Sequence, residues 1–175
     1  GAQNGSSAIY MESIEKSVFL AGNVTLPGLA TLGDFFIDLG TQSGGVVSGI
    51  SFTNRPTKLT GYYKSAPVGG DKATVEVELM KWNASTQTST EIGRGVFQET
   101  STVSTWTPFE VNIIWTDNST PDSMNIILSS SDIISGSYVN GSKLWIDNLS
   151  FEYTVTDASE LSIEKGIKLF PNPVT

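Results

Sequence analysis

The stretch KATVEVELMKW, residues 72–82, alternates apolar and polar side chains along its length. Ala73, Val75, Val77 and Leu79 fall on one side, and Thr74, Glu76 and Glu78 on the other. A period of two belongs to an extended strand with one buried face, whereas a helix would scatter the same valines around its axis. The pattern recurs downstream. FEVNIIW, residues 109–115, places Phe109, Val111, Ile113 and Trp115 together, and SMNIILS, residues 123–129, does so with Met124, Ile126 and Leu128. These runs read as half-buried antiparallel strands.

Turn chemistry separates them. Gly69-Gly70-Asp71 precedes the first run, and NASTQTST, residues 83–90, leads to a partner strand near residues 95–99. TDNSTPDS, residues 116–123, and Asn140-Gly141 punctuate the rest. Strands about ten residues apart with such punctuation predict an all-β fold, a two-sheet antiparallel β-sandwich of jelly-roll type. Residues 25–32, with Pro27 and Gly28, read as a loop. The final run, KLWIDNLSFEYTV at residues 143–155, changes phase. Leu144 and Ile146 occupy even positions, and Leu149, Phe151, Tyr153 and Val155 odd ones, which predicts a β-bulge at Asp147-Asn148.

The chain has 175 residues, enough for one substantial core. Charged residues make up 16%, so its polarity comes largely from Ser, Thr, Asn and Gly, as is common in extracellular β proteins. Net charge is −8, which argues against nucleic acid or an anionic membrane as partner, since both call for clustered cations. With no Cys and no His, there is no disulfide framework, thiol nucleophile or Ser–His–Asp triad. No apolar run is long enough for a membrane-spanning helix, so membrane insertion is not expected. Gly1 in place of Met suggests a mature or trimmed chain.

After Thr156 the composition shifts. Residues 157–166, DASELSIEKG, are polar, and IKLFPNPVT, residues 167–175, carries Pro171 and Pro173, which no central strand accommodates. The domain division is therefore 1–156 for the sandwich and 157–175 for a linker and the truncated start of a further domain. Leu169-Phe170-Pro171-Asn172-Pro173 resembles the opening of the C-terminal sorting domain of the type IX secretion system of Bacteroidetes. That resemblance implies the secretion machinery as a partner and a secreted or outer cell-surface location.

The remainder resembles the carbohydrate metabolism domain family of the same bacteria. The matching pieces are SFTNRPTKLTGYYK at residues 51–64, Gly70-Asp71, VEVEL at residues 75–79, IILSSS at residues 126–131 and SKLWIDNLSFEY at residues 142–153. SAIYMES, residues 7–13, fits the family's first strand more loosely, and Ser65 departs from a position where the family often has an aromatic. The resemblance implies a fold like that of carbohydrate-binding modules and a role in glycan handling. It implies a fold more firmly than a reaction.

Residues 55–64, RPTKLTGYYK, hold the first candidate site. Leu59, Gly61 and Tyr63 share the more apolar face, so Tyr63 points inward and Tyr62 outward, with Lys64. Rings stack on the C–H faces of sugars while polar side chains take the hydroxyls. Tyr62 between Lys58, Lys64, Glu76 and Glu78 could supply both; the other reading is a cross-strand Lys–Glu ladder that Tyr62 merely covers. Arg55, before Pro56, anchors a loop through backbone carbonyls or binds a carboxylate. Trp106 is either a platform at a strand end or a plug closing the sandwich, and Trp82 has the same two readings. Trp115 and Trp145 read as buried or half-buried.

The proposed binding set is thus Tyr62, Lys64, Arg55, Glu76 and Trp106, for a glycan or polysaccharide and without a catalytic residue. A structural or adhesive module without a small ligand is the first alternative. The second is a glycoside hydrolase using Glu76 and Glu78, whose Cα atoms would lie about 7 Å apart on one strand face; the same pair is also what a solvated strand face carries. No cofactor is expected. Structural calcium would have Asp147 and Asp34 as ligands, against a reading in which Asp147 bonds the backbone at its bulge. Asp122-Ser123-Met124 resembles a short O-glycosylation motif of Bacteroidetes and is placed on an exposed turn.

Overall fold

The computed structural model describes residues 1–19, 22–38, 43–47 and 49–154; among these there are fourteen strands and no helix. One sheet has four antiparallel strands in the order β1 (Ile9–Glu12), β14 (Lys143–Glu152), β8 (Lys58–Ala66) and β11 (Val103–Asn112). The second runs β12 (Ile114–Trp115), β10 (Thr88–Glu99), β9 (Ala73–Asn83), β13 (Ser123–Ser129) and β4 (Leu29–Thr31), with β7 (Ile50–Ser51) also paired to β13. Two further ladders join β2 (Ile14–Val18) to β3 (Gly22–Leu26), and β5 (Asp34–Asp38) to β6 (Ser43–Val47). The all-β sandwich expected from the alternation is the fold observed. Residues 155–175, with the sorting-domain motif, lie outside the described residues.

The inner faces are the apolar ones. From β9, Val75, Val77 and Leu79 are completely buried; they share one core with Leu59 and Tyr63 of β8, Phe109 and Val111 of β11, Met124 and Leu128 of β13, and Leu144 and Ile146 of β14. Tyr63, Phe97 and Phe109 pack ring against ring, with centroids 5.1 to 5.9 Å apart. Gly61 leaves room for that cluster, since a Cβ there would stand 2.9 Å from the Phe109 ring and 2.8 Å from Leu149. Tyr63 is buried and Tyr62 half-buried on the opposite face, as the period of two requires.

The bulge also lies where the phase changes. The β14 register slips between Asp147 and Ser150, and Asn148 takes a positive φ of 55°. β10 begins earlier than the sequence indicated, pairing with β9 from Thr88 onward. The FEVNIIW run is shared between sheets: β11 belongs to the four-stranded sheet, Ile113 bonds the Thr57 carbonyl, and β12 pairs with β10 in the other.

Three expectations are corrected. Residues 25–32 are not a loop: β3 ends at Leu26, and β4 pairs with β13 beyond Pro27 and Gly28. A non-local ladder supplies hydrogen bonds that outweigh the local turn signal. Glycine is needed at 28 because a Cβ would sit 2.4 Å from the Glu12 amide nitrogen. Ser123 is not on an exposed turn, for it lies within β13 between Met80 and Ser51. Finally, β8 and β9 are consecutive in the chain but sit in different sheets.

Asp71 holds that crossover. It is buried after the Gly69-Gly70 turn, and its Oδ1 accepts from the amides of Lys72 at 2.7 Å and Asp132 at 2.9 Å. Its Oδ2 accepts from Ser131 Oγ at 2.6 Å and the Val139 amide at 3.2 Å. Ser131 Oγ also lies 2.5 Å from Ser13 Oγ, and Ser13 Oγ lies 2.8 Å from Ser130 Oγ, which brings the end of β1 into the same network. Removing the carboxylate strands four donors, most of them out of water, at roughly 1–3 kcal/mol for each one left buried and unpaired. Asp71→Ala is expected to lower the unfolding free energy by about 3 kcal/mol or more, read from urea denaturation midpoints. An unchanged midpoint would show that the network is dispensable.

Candidate functional site

The core claims the inner faces, so ligand chemistry belongs to the outer ones. On the four-stranded sheet, the strand register places Tyr10 of β1 beside Trp145 of β14, and Trp145 beside Lys64 of β8. The Tyr10 and Trp145 rings are 5.1 Å apart between centroids and tilted by 35°. Lys64 Nζ stands 5.5 Å from the Trp145 ring and 4.7 Å from that of Trp106 on β11. The row Tyr10–Trp145–Lys64–Trp106 therefore crosses all four strands, with one cation held between two indoles. Tyr10 is 49% exposed, and both indoles are partly so. Its phenol lies against the Glu12 carboxylate, which pushes the Tyr10 pKa up to about 12 and keeps the hydroxyl a donor.

One level along, Tyr62 lies between Pro108 and Asp147 in the register. Asp147 accepts from three amides, those of Gln3 at 2.7 Å, Asn4 at 3.1 Å and Asn148 at 2.8 Å. Trp106 Nε1 donates to the Gly1 carbonyl at 3.2 Å. These anchors on β14 and β11 draw the N-terminal arm across β8. Amide hydrogens of Asn4, Gln3 and Asn148 stabilise the ionised Asp147 carboxylate and hold its pKa below the ordinary value, so Asp147 bonds the backbone at its bulge and in the N-terminal arm. Asp34 opens β5, in a different ladder, and among the described residues no group of three acidic or other ligating side chains fits a metal.

Of the five expected site residues, the structure brings together Tyr62, Lys64 and Trp106. Arg55 is elsewhere. Its guanidinium lies 3.8 Å from the Trp115 ring centroid and donates to the carbonyls of Asp117 and Ser119, so it is the loop anchor. Glu76 is on the outer face of the other sheet, because β9 is not adjacent to β8. The Lys–Glu ladder between them does not form; Lys58 instead pairs with Glu110 at 2.7 Å and Glu152 at 3.3 Å. Tyr10 and Trp145 were missed as site residues. For Trp145 the signal was present, since Leu144 and Ile146 point inward and leave 145 outward. Trp82 is half-exposed at the end of β9, away from this row.

Around Glu76 a second cluster forms. Arg94 places Nε at 2.7 Å and Nη2 at 2.5 Å from the same Glu76 oxygen, and its Nε lies 3.9 Å from Glu91. Glu78, on the same face, is flanked by Arg94 and Asn125. Burial pushes the Glu78 pKa up, the charges of Glu76 and Glu91 add to this, and Arg94 works against it.

The folded protein thus holds the Glu78 proton more tightly than the unfolded chain does. The contribution of Glu78 to stability therefore declines as pH rises from the ordinary carboxyl range through its elevated pKa. Glu78→Gln is expected to gain stability over the parent at neutral pH and to lose that advantage in acid. Denaturation midpoints compared across that range check it; a difference independent of pH counts against the assignment.

No protein-family model matches the sequence, and no curated protein matches it either. Solved structures do match the fold. A protein from Bacteroides thetaiotaomicron described as a "putative glycoside hydrolase" superposes with a TM-score of 0.69 at 17% identity, covering 89% of this chain. A second, so described from Bacteroides vulgatus, gives a TM-score of 0.66 at 19% identity and covers 87% of this chain. The chain spans 56% of the first protein's length and 76% of the second's. At such identities the chain is similar to both in fold.

Proposed function

We propose that the domain is a non-catalytic carbohydrate-binding module whose sugar-contacting surface is the outer face of the four-stranded sheet. The observation that carries this reading is the row Tyr10–Trp145–Lys64–Trp106, in which rings from three strands line up beside one caged lysine. Flat rings receive the C–H face of a pyranose, and Lys64 and Glu12 offer a donor and an acceptor to its hydroxyls. Tyr62 extends the surface beneath the N-terminal arm. The resemblance of residues 51–64 and 142–153 to a carbohydrate metabolism family, and the description of the two Bacteroides proteins, agree with a sugar ligand. Leu169 to Pro173 supports placing the parent protein outside the cell, exported through the type IX machinery.

Hydrolysis is the second reading, favoured by the described activity of those two proteins and by Glu76 and Glu78 sharing one face. Against it, Arg94 holds one Glu76 oxygen with two nitrogens. An adhesive module without a small ligand is the third.

Affinity electrophoresis through gels containing soluble plant and host polysaccharides separates them. Retardation is expected with at least one polysaccharide, and Trp145→Ala or Trp106→Ala should weaken it about tenfold, the scale of one lost stacking ring. Glu76→Gln should leave it intact. Uniformly unretarded migration, or retention unaffected by both tryptophan substitutions, overturns the proposal. Release of reducing sugar that disappears in Glu76→Gln or Glu78→Gln would instead establish hydrolysis.

A further inference from the structure

Asn125 is 2% exposed, yet among the described residues its Nδ2 has no hydrogen-bond partner. A buried N–H left unpaired costs roughly 1–3 kcal/mol, so such an atom calls for an explanation. The amide orientation is determined by its other end. Oδ1 accepts from Thr31 Oγ1 at 2.8 Å and from the Gly33 amide at 3.1 Å, both on the β4 side. Flipping the side chain would set its NH₂ against the Gly33 N–H. Nδ2 is therefore the end of the amide that Thr31 and Gly33 do not occupy, and the strand on the other flank of Asn125 is β9.

On that side stands Glu78. It is the direct cross-strand partner of Asn125, on the same face, where Cβ atoms stand about 4.5–5.5 Å apart. Among the described residues no hydrogen bond contributes to the Glu78 environment, which is set by burial and the charges of Glu76, Glu91 and Arg94. On its other flank is Arg94, already drawn to Glu76 through Nε and Nη2. An idle amide donor and an idle carboxyl thus stand side by side, backed by an ion pair that fixes the neighbouring charges.

We infer that Arg94, Glu78 and Asn125 form a second ligand site, on the face opposite the aromatic row, for a neutral polyhydroxylic molecule such as a monosaccharide unit. The groups present select that chemistry. A hydroxyl both donates and accepts, so adjacent hydroxyls satisfy the Asn125 N–H and the Glu78 carboxylate together. Anionic ligands are repelled by Glu76, Glu78 and Glu91. A metal ion is disfavoured by the amide and guanidinium hydrogens that face the same place, and the carboxylates here do not form a metal-holding group. The inference does not rest on the aromatic face: either site can exist without the other.

The test is a titration of isotopically labelled protein with glucose, galactose, mannose and xylose, monitored by nuclear magnetic resonance. The Asn125 side-chain amide and the Glu78 side-chain carboxyl carbon are expected to shift saturably with at least one of these sugars, and to do so equally in Trp106→Ala. Glu78→Ala, at a partly exposed position that should not prevent folding, is expected to weaken the response about tenfold, the scale of one hydrogen bond to a charged group. If both resonances stay unmoved by all of these sugars, or the response persists undiminished in Glu78→Ala, the site is overturned and the Asn125 hydrogen is an unpaired buried donor with no ligand role. A response lost in Trp106→Ala would assign the binding to the aromatic face and also overturn it.

Discussion

The buried carboxylate of Asp71 governs how the two halves of this molecule are joined. It stands where the chain leaves β8 in one sheet and enters β9 in the other, and its two oxygens gather donors from the turn, the end of β13 and the loop before β14. Through Ser131 and Ser13 the same network reaches the end of β1. A carboxylate out of water must be fully paired, and pairing it here requires these segments to stand in one arrangement. That arrangement sends the tyrosine-bearing strand and the glutamate-bearing strand to opposite sides of a common core.

The consequence is two outer faces of different chemistry. One presents rings and a caged cation, with Tyr10, Trp145, Lys64 and Trp106 in a row across four strands. The other presents carboxyls, a guanidinium and an amide from β9, β10 and β13. β13 is covered on both sides, with Asn125 and Ile127 buried on the outer face as Met124 and Leu128 are on the inner, so polar groups there carry the energetic cost of burial. On the aromatic face that cost is smaller, since its polar atoms keep access to water. In the binding roles proposed for them, the first face would act by stacking and the second by hydrogen bonding.

Much of the candidate site could be read residue by residue, but its membership could not. Tyr62 pointing outward followed from Leu59, Gly61 and Tyr63 sharing the apolar face, whereas Arg55, which the sequence allowed as a loop anchor or a ligand contact, was placed in the binding set and anchors a loop instead. Trp145 was within reach once its neighbours were assigned inward. Grouping Glu76 with Tyr62 failed because it assumed that strands joined by a short turn are hydrogen-bonded neighbours, which holds often but not at a crossover between sheets. Nothing in the local pattern around Asn125 marks it as buried.

From sequence alone came the long alternating strands of the core, their inward faces, the bulge at Asp147-Asn148 and the sandwich class, because alternation with period two is a local property that burial of one face imposes on each strand. Which strand lies beside which was decided only by the tertiary structure. A strand's own alternation states that it needs partners and says nothing of their identity, since backbone donors and acceptors are the same in every residue. The aromatic row, the pairing of Glu78 with Asn125 across β9 and β13, and the separation of the two faces all depend on that choice of neighbours, and so they became visible only once the chain was folded.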